Sequence, residues 1–251
     1  MTRPIFVVGC PRSGTTLLRL ILDSHPSISA GPESRFLWGL QAIEERNWPT
    51  LATFGLTLDE WHAKVRSLFE APHRAYAEHQ GKVRWADKSP DYALMLDYID
   101  TLYPDAQIVH IVRNPRDVID AWRRFYGLKS VHRAAQAWVR YVGAAHTFAE
   151  TTGPGKVMEL RYEDLAREPE STLRALLTWL GEPWSEDVLA FADRPHSFGA
   201  QPLRVEDKRW ARRNATVRTT SIGVGHGAST AVPFVIVRTR GATLLKAFGY
   251  E

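Results

Sequence analysis

With a single cysteine in 251 residues, Cys10, the chain can close no internal disulfide, so its stability must come from packing. That suits a reducing compartment. No run of 18 or more apolar residues occurs, and Met1-Thr2-Arg3-Pro4 shows no basic-then-apolar export pattern before the first hydrophobic run. The expectation is a cytoplasmic protein that neither crosses nor docks on a membrane. Cys/His spacing typical of zinc is absent, as are internal repeats and low-complexity segments. The formal net charge of +4 is too small to demand nucleic acid, though it suits an anionic ligand. Hydrophobic residues at 44% and charged residues at 24% are ordinary for a globular protein, and the length fits one domain spanning residues 1–251.

What is present is concentrated at the N-terminus. The β-branched run Ile5-Phe6-Val7-Val8 meets the loop Gly9-Cys10-Pro11-Arg12-Ser13-Gly14, and Leu17, Leu18, Leu20, Ile21 and Leu22 follow with helical spacing. The order is strand, phosphate loop, helix. Such a loop aims unpaired helix N–H groups and the positive end of the helix dipole at whatever it encloses. Gly9 and Gly14 have the G-x4-G spacing of a nucleotide P-loop, but Thr15-Thr16 stands where Lys-Thr is expected. The cation lies inside the loop instead, as Arg12. Cys10 is read as a small buried residue rather than a nucleophile.

Cys-Pro-Arg-Ser-Gly-Thr-Thr-Leu-Leu resembles the 5′-phosphosulfate loop of sulfotransferases that use 3′-phosphoadenosine 5′-phosphosulfate (PAPS), in the form seen in tyrosylprotein sulfotransferases and their bacterial relatives. The resemblance implies an α/β, P-loop NTPase-like three-layer fold, with a short central parallel sheet flanked by helices. It implies sulfuryl transfer from PAPS, without a metal, to a hydroxyl on a small molecule, carbohydrate or peptide. Arg12, Ser13, Gly14, Thr15 and Thr16 would hold the phosphosulfate.

Along the chain, Ile28 to Ala30 reads as a second strand, followed by Gly31-Pro32-Glu33-Ser34-Arg35. Glu33 has two readings: an acid in the first turn of the next helix, or, by the resemblance, the general base on the acceptor hydroxyl. Residues 36–80 read as helical with a break at Asn47-Trp48-Pro49, and Trp38, Trp48 and Trp61 belong either to an acceptor wall or to core. A third strand ends at Lys88-Ser89-Pro90. Ligands in open α/β sheets bind outside strand carboxyl ends, which favours Lys88 as a second catalytic cation over a solvated loop lysine. A helix over 91–103 precedes the strand Gln107 to Val112, in which His110 is a core histidine.

That strand runs into Arg113-Asn114-Pro115-Arg116-Asp117, which resembles the family's 3′-phosphate motif, with Arg113 as the phosphate grip. The usual serine eight residues later is Ala121 here, leaving Arg124, the Ser130 loop or the C-terminal loop as substitutes. Helix over 129–150, a strand over 156–160 and a helix from Pro169 to Leu180 follow, with Arg161-Tyr162-Glu163-Asp164-Leu165 read as structural. The basic residues from Arg204 to Arg218 form either a lid or a solvated face. Ser221-Ile222-Gly223 resembles the segment that closes over the donor; its glycines suit an anion nest or a plain turn, with His226 nearby. Residues 233–251 read as one packed helix.

Two other classes compete with this reading. A P-loop kinase or NTPase would need Mg2+, but the Walker lysine and the strand-end acid are missing. An idle nucleotide-binding protein has Ala121 in its favour and the joint presence of Arg12, Glu33 and Lys88 against it. Oligomeric state is not readable from the sequence.

Overall fold

A computed structural model describes residues 3–193, 196 and 219–250. Five strands, β1 (Ile5–Val8), β2 (Ile28–Ala30), β3 (Arg84–Lys88), β4 (Gln107–Val112) and β5 (Val157–Arg161), form one parallel sheet in the order β2-β3-β1-β4-β5. Every residue of β1 is buried because helices cover both faces of the sheet. The two-residue period of a strand then divides it. Ile5 and Val7 pack with α1 (Thr15–Ser24) and α8 (Pro169–Leu180), whereas Phe6 and Val8 pack with α3 (Leu58–His79) and α4 (Leu96–Leu102). A third core lies among α5 (Pro115–Tyr126), α6 (Val131–Thr152), α9 (Ala228–Arg240) and α10 (Ala242–Ala247). The fold expected from the sequence is the fold observed.

Some boundaries differ. Helix α2 (Leu37–Thr53) runs through Pro49, and the break falls at Phe54–Leu56, where Gly55 takes φ +83° and Thr57 with Glu60 forms a capping box that starts α3. Pro49 removes one hydrogen bond from α2 without ending it. The helix expected over 91–103 is a 3-10 turn, Pro90–Leu94, followed by α4. The tail holds two helices because Gly241 lets them break against α6: a Cβ there would lie 3.1 Å from Val237 O and 3.2 Å from Val139. Trp38 and Trp61 pack against the second core, Trp48 is half-buried, and His110 is buried on β4 with Nδ1 2.9 Å from Glu159. The basic stretch from Arg204 to Arg218 lies outside the described residues. No helix among the described residues is long and apolar enough to cross a membrane.

The sheet's carboxyl edge gathers the candidate residues. Arg12 follows β1, Glu33 follows β2, Lys88 ends β3, Arg113 follows β4, and Tyr162 opens α7 (Tyr162–Arg167) directly after β5.

Candidate active site

The loop between β1 and α1 is shaped by two close approaches. A Cβ on Gly9 (φ +151°) would sit 2.4 Å from Ile111 O, and one on Gly14 (φ +101°) 2.5 Å from the Tyr162 ring, so neither position admits a side chain. Arg12 takes φ +78°, a conformation rare outside glycine that turns the loop tightly; its guanidinium lies over the Phe125 ring, 4.8 Å from the centroid. Burial lowers the Arg12 pKa from its ordinary range, and the neighbouring Arg113 adds to this, yet an arginine keeps its charge. Helix α1 has no side-chain cap and no acid in its first turn, so its leading amides face the loop unopposed. Ser13 is fully buried and its Oγ has no hydrogen-bond partner among the described residues. Cys10 is also fully buried, and burial pushes its thiol well above the thiolate range, in agreement with an inert packing role.

Opposite this loop, Lys88 Nζ donates to Thr16 Oγ1 at 3.1 Å and to the Glu33 carboxylate. Lys88 is 3% exposed, which removes the reading as a solvated loop lysine. Its pKa is lowered chiefly by burial, with Glu33 pulling the other way. The helix-cap reading of Glu33 also falls: α2 begins four residues later at Leu37, and its first turn holds no acid. Glu33 instead lies in a loop tied down on both sides. Tyr92 OH accepts from Leu37 N at 3.1 Å and bonds Ser34 Oγ at 3.0 Å, while Arg35 pairs with Asp91 at 3.0 Å. Arg12, Thr15, Thr16, Glu33, Arg35, Tyr126 and Tyr141 line a cleft of about 190 Å3.

Arg113 joins three segments. Its Nη1 donates to Arg12 O (3.2 Å) and its Nη2 to Ser221 O (2.6 Å), while its guanidinium stacks on Tyr162, 4.6 Å from the ring centroid. Tyr162 OH in turn bonds Ser221 Oγ at 2.6 Å. Two of the five guanidinium donors are therefore engaged on carbonyls, and the buried Nε has no partner among the described residues. Among the substitutes suggested for the serine replaced by Ala121, Ser221 stands beside Arg113. Ser130 Oγ is bonded to Gly127 O, and Arg124 pairs with Asp120.

The nest expected at Gly223 is already filled. The amides of Gly223 and Gly225 each donate to the buried Asp117 carboxylate at 2.9 Å, so an internal anion occupies them. Gly225 must be glycine, because a Cβ would lie 2.2 Å from the Arg116 backbone. Exposed His226 is not among the groups that line the cleft. Glu163 is structural as read: it accepts from Asn114 N at 2.8 Å and from Tyr250 OH at 2.7 Å.

Sequence reasoning missed Asp117, Tyr92 and Arg19. Arg19 donates to Ala30 O (2.9 Å) and Gly31 O (3.3 Å), fixing the entry to the Glu33 loop. An arginine inside Leu17-Leu18-Arg19-Leu20-Ile21-Leu22 was the available signal, since a buried charge requires partners.

Comparison with known proteins gives this geometry a family. The chain is 27% identical over 208 residues to the protein-tyrosine sulfotransferase of Drosophila melanogaster, covering 76% of this chain and 41% of that protein. It spans about half the length of the curated relatives it matches. Its structure superposes on the sulfotransferase domain from the curacin biosynthetic pathway with TM-score 0.70 and 21% identity, covering 100% of this chain and 99% of the other. For mouse sulfotransferase SULT7A1, solved in complex with PAP, the TM-score is 0.59 at 16% identity, with 98% and 89% covered. These likenesses establish the fold. A family model described as "Sulfotransferase family" matches residues 4–186, and on that match the chain belongs to the sulfotransferase family.

Proposed function

We propose that residues 1–251 act as a single sulfotransferase domain that moves a sulfuryl group from PAPS to an acceptor hydroxyl by in-line transfer. The observation that carries the reading is Lys88, whose ammonium bridges Thr16 of the phosphate loop and Glu33 of the facing loop. A buried cation between the phosphate loop and a carboxylate supports that reading. A protein that only bound nucleotide would have no use for the carboxylate.

In this reading Arg12 and the amides at the start of α1 hold the 5′-phosphosulfate, with Ser13, Gly14, Thr15 and Thr16 beside it. The buried unpartnered Ser13 Oγ fits that role. Arg113 meets the 3′-phosphate with its remaining donors, next to Ser221, and Gly223 contributes shape through its Asp117 clamp rather than a free amide. The acceptor oxygen attacks sulfur as the bond from sulfur to the 5′-phosphate oxygen breaks, and the proton passes to Glu33. The products are a sulfate ester and 3′-phosphoadenosine 5′-phosphate (PAP). Lys88 and Arg12 stabilise the charge that develops on the departing oxygen.

The test is calorimetric titration of the protein with PAP beside ATP plus Mg2+. Binding of PAP, with ATP–Mg2+ at least about a hundredfold weaker, is expected for a site built around a 3′-phosphate grip. Binding of ATP with Mg2+ alone would replace this reading with that of a P-loop kinase.

A further inference from the structure

A second pocket, of about 240 Å3, adjoins the first, and among the described residues Glu33 is the one that lines both. Its other walls come from the loop after β2 (Gly31, Pro32 and Phe36), from α3 (Pro72 and Tyr76) and from Ala86 of β3. The polar side chains there are mostly occupied. Ser34 Oγ bonds Tyr92, and the two ring nitrogens of His73 face Phe69 O at 2.8 Å and Asp87 at 3.1 Å. Ser29 Oγ is buried without a partner among the described residues. A pocket of this size lies below the roughly 300–1,000 Å3 of sites that take drug-sized ligands, so it suits about one ring.

We propose that this pocket holds the body of the acceptor, and that the acceptor is a compact apolar alcohol whose hydroxyl meets Glu33. This rests on the sulfotransferase reading above and narrows it. The argument is one of satisfaction. A sugar brings several hydroxyls, each needing a partner once removed from water, and besides Ser34 and His73 the wall offers Glu33, Ser29 and the Tyr76 hydroxyl. An aromatic or alicyclic alcohol brings one hydroxyl and otherwise carbon, which matches the rings of Phe36, Pro72 and Tyr76. The Glu33 carboxylate, shared by both spaces, then stands between the acceptor and the phosphate loop that holds the donor.

Pro72 provides the probe, since it lies inside α3, is exposed at the pocket and belongs to none of the donor machinery. Replacing an internal helical proline relieves backbone strain, so Pro72→Trp can fill the pocket without breaking the helix. Transfer of labelled sulfuryl from PAPS to 2-naphthol, benzyl alcohol and N-acetylglucosamine would be measured for the native protein, Pro72→Trp and Pro72→Ala, with PAP titration of each. The expected result is kcat/KM for both apolar alcohols at least about tenfold above that for the sugar. Pro72→Trp should lower it about tenfold while PAP affinity stays unchanged, and Pro72→Ala should retain it. Preference for the sugar, sulfation of none of the three, or indifference to Pro72→Trp, each with PAP still bound, would overturn this proposal alone. Failure of the native protein to bind PAP would overturn the sulfotransferase reading and this proposal with it.

Discussion

Replacing Lys88 by methionine removes one charge while keeping most of the volume of a side chain that is 4% exposed. The donor pocket loses an oriented cation beside Thr16, and deleting one preorganised donor at a site of developing charge costs roughly 10²–10³ in kcat, about 2.7–4 kcal/mol. Fold stability should not fall in step. The ammonium's own burial is unfavourable, and Glu33, with 36% of its side chain exposed, can be hydrated once its partner is gone. PAP binding should change by no more than about threefold, because the charge acts on the transition state rather than on the bound product. The pH profile supplies an independent check. Burial lowers the Lys88 pKa, so the useful protonated form is lost as pH rises, and the alkaline limb of kcat/KM should lie below the ordinary lysine value of about 10.4. That limb should vanish from the residual activity of Lys88→Met. Single-turnover kinetics with PAP calorimetry and urea denaturation make the comparison. A loss of PAP affinity equal to the loss of turnover would refute the reasoning and recast Lys88 as a donor clamp.

Glu33→Gln should leave PAP affinity nearly intact while turnover falls about 10²- to 10⁴-fold, the range for a positioned general base; steady-state rates equal to native would remove it from that role. Arg113→Lys loses the planar fork that joins Arg12 and Ser221 and, in the proposed reading, grips the 3′-phosphate, so PAP binding should weaken by about 1.5–3 kcal/mol, whereas a 3′-dephospho analogue should barely respond. Equal weakening of both nucleotides in calorimetry would contradict the 3′-phosphate assignment. Asp117→Asn turns one amide-accepting oxygen into a donor facing Gly223 or Gly225, and at 1% exposure water cannot compensate. A loss of about 1.5–3 kcal/mol in urea unfolding is expected, with weaker PAP binding as the Ser221 segment loosens. An unchanged midpoint would show that the clamp adds nothing to stability.

The strand–loop–helix at the N-terminus was legible because its signals are local: a β-branched run, two glycines with no room for a side chain, then helical spacing. The remaining strands were legible for the same reason, and their carboxyl ends indicated where Glu33, Lys88 and Arg113 would gather. What those residues touch was not legible. Lys88 meets Glu33 across 55 positions, and Asp117 meets Gly223 across 106, so no periodicity links them. The Gly223 segment shows the consequence, since glycine spacing suggests open amides and only the fold reveals the carboxylate that fills them. Helix ends were misplaced where a proline reads as a break and the chain stays helical through it, as at Pro49 inside α2; the actual break comes after Thr53, before the capping box at Thr57.

An anion site built from backbone amides must also contend with its own protein's carboxylates, and among the described residues Asp117, Glu163, Asp91 and Glu33 stand near the sheet edge. Asp117 is held by two amides, Glu163 by Asn114 N and Tyr250 OH, and Asp91 by Arg35. Each is largely shielded from solvent: Asp117 and Glu163 are 1% and 3% exposed, and the Asp91 side chain 17%. Their negative charge is consumed by groups aimed at them, so the field over the phosphate loop is set by Arg12, Lys88, Arg113 and the open end of α1. Glu33 is the exception, paired with Lys88 yet still exposed over a third of its side chain. A carboxylate left reachable beside an anion site works against donor binding unless its negative charge has a use. Accepting a proton from an incoming hydroxyl is the use its position between the two pockets allows.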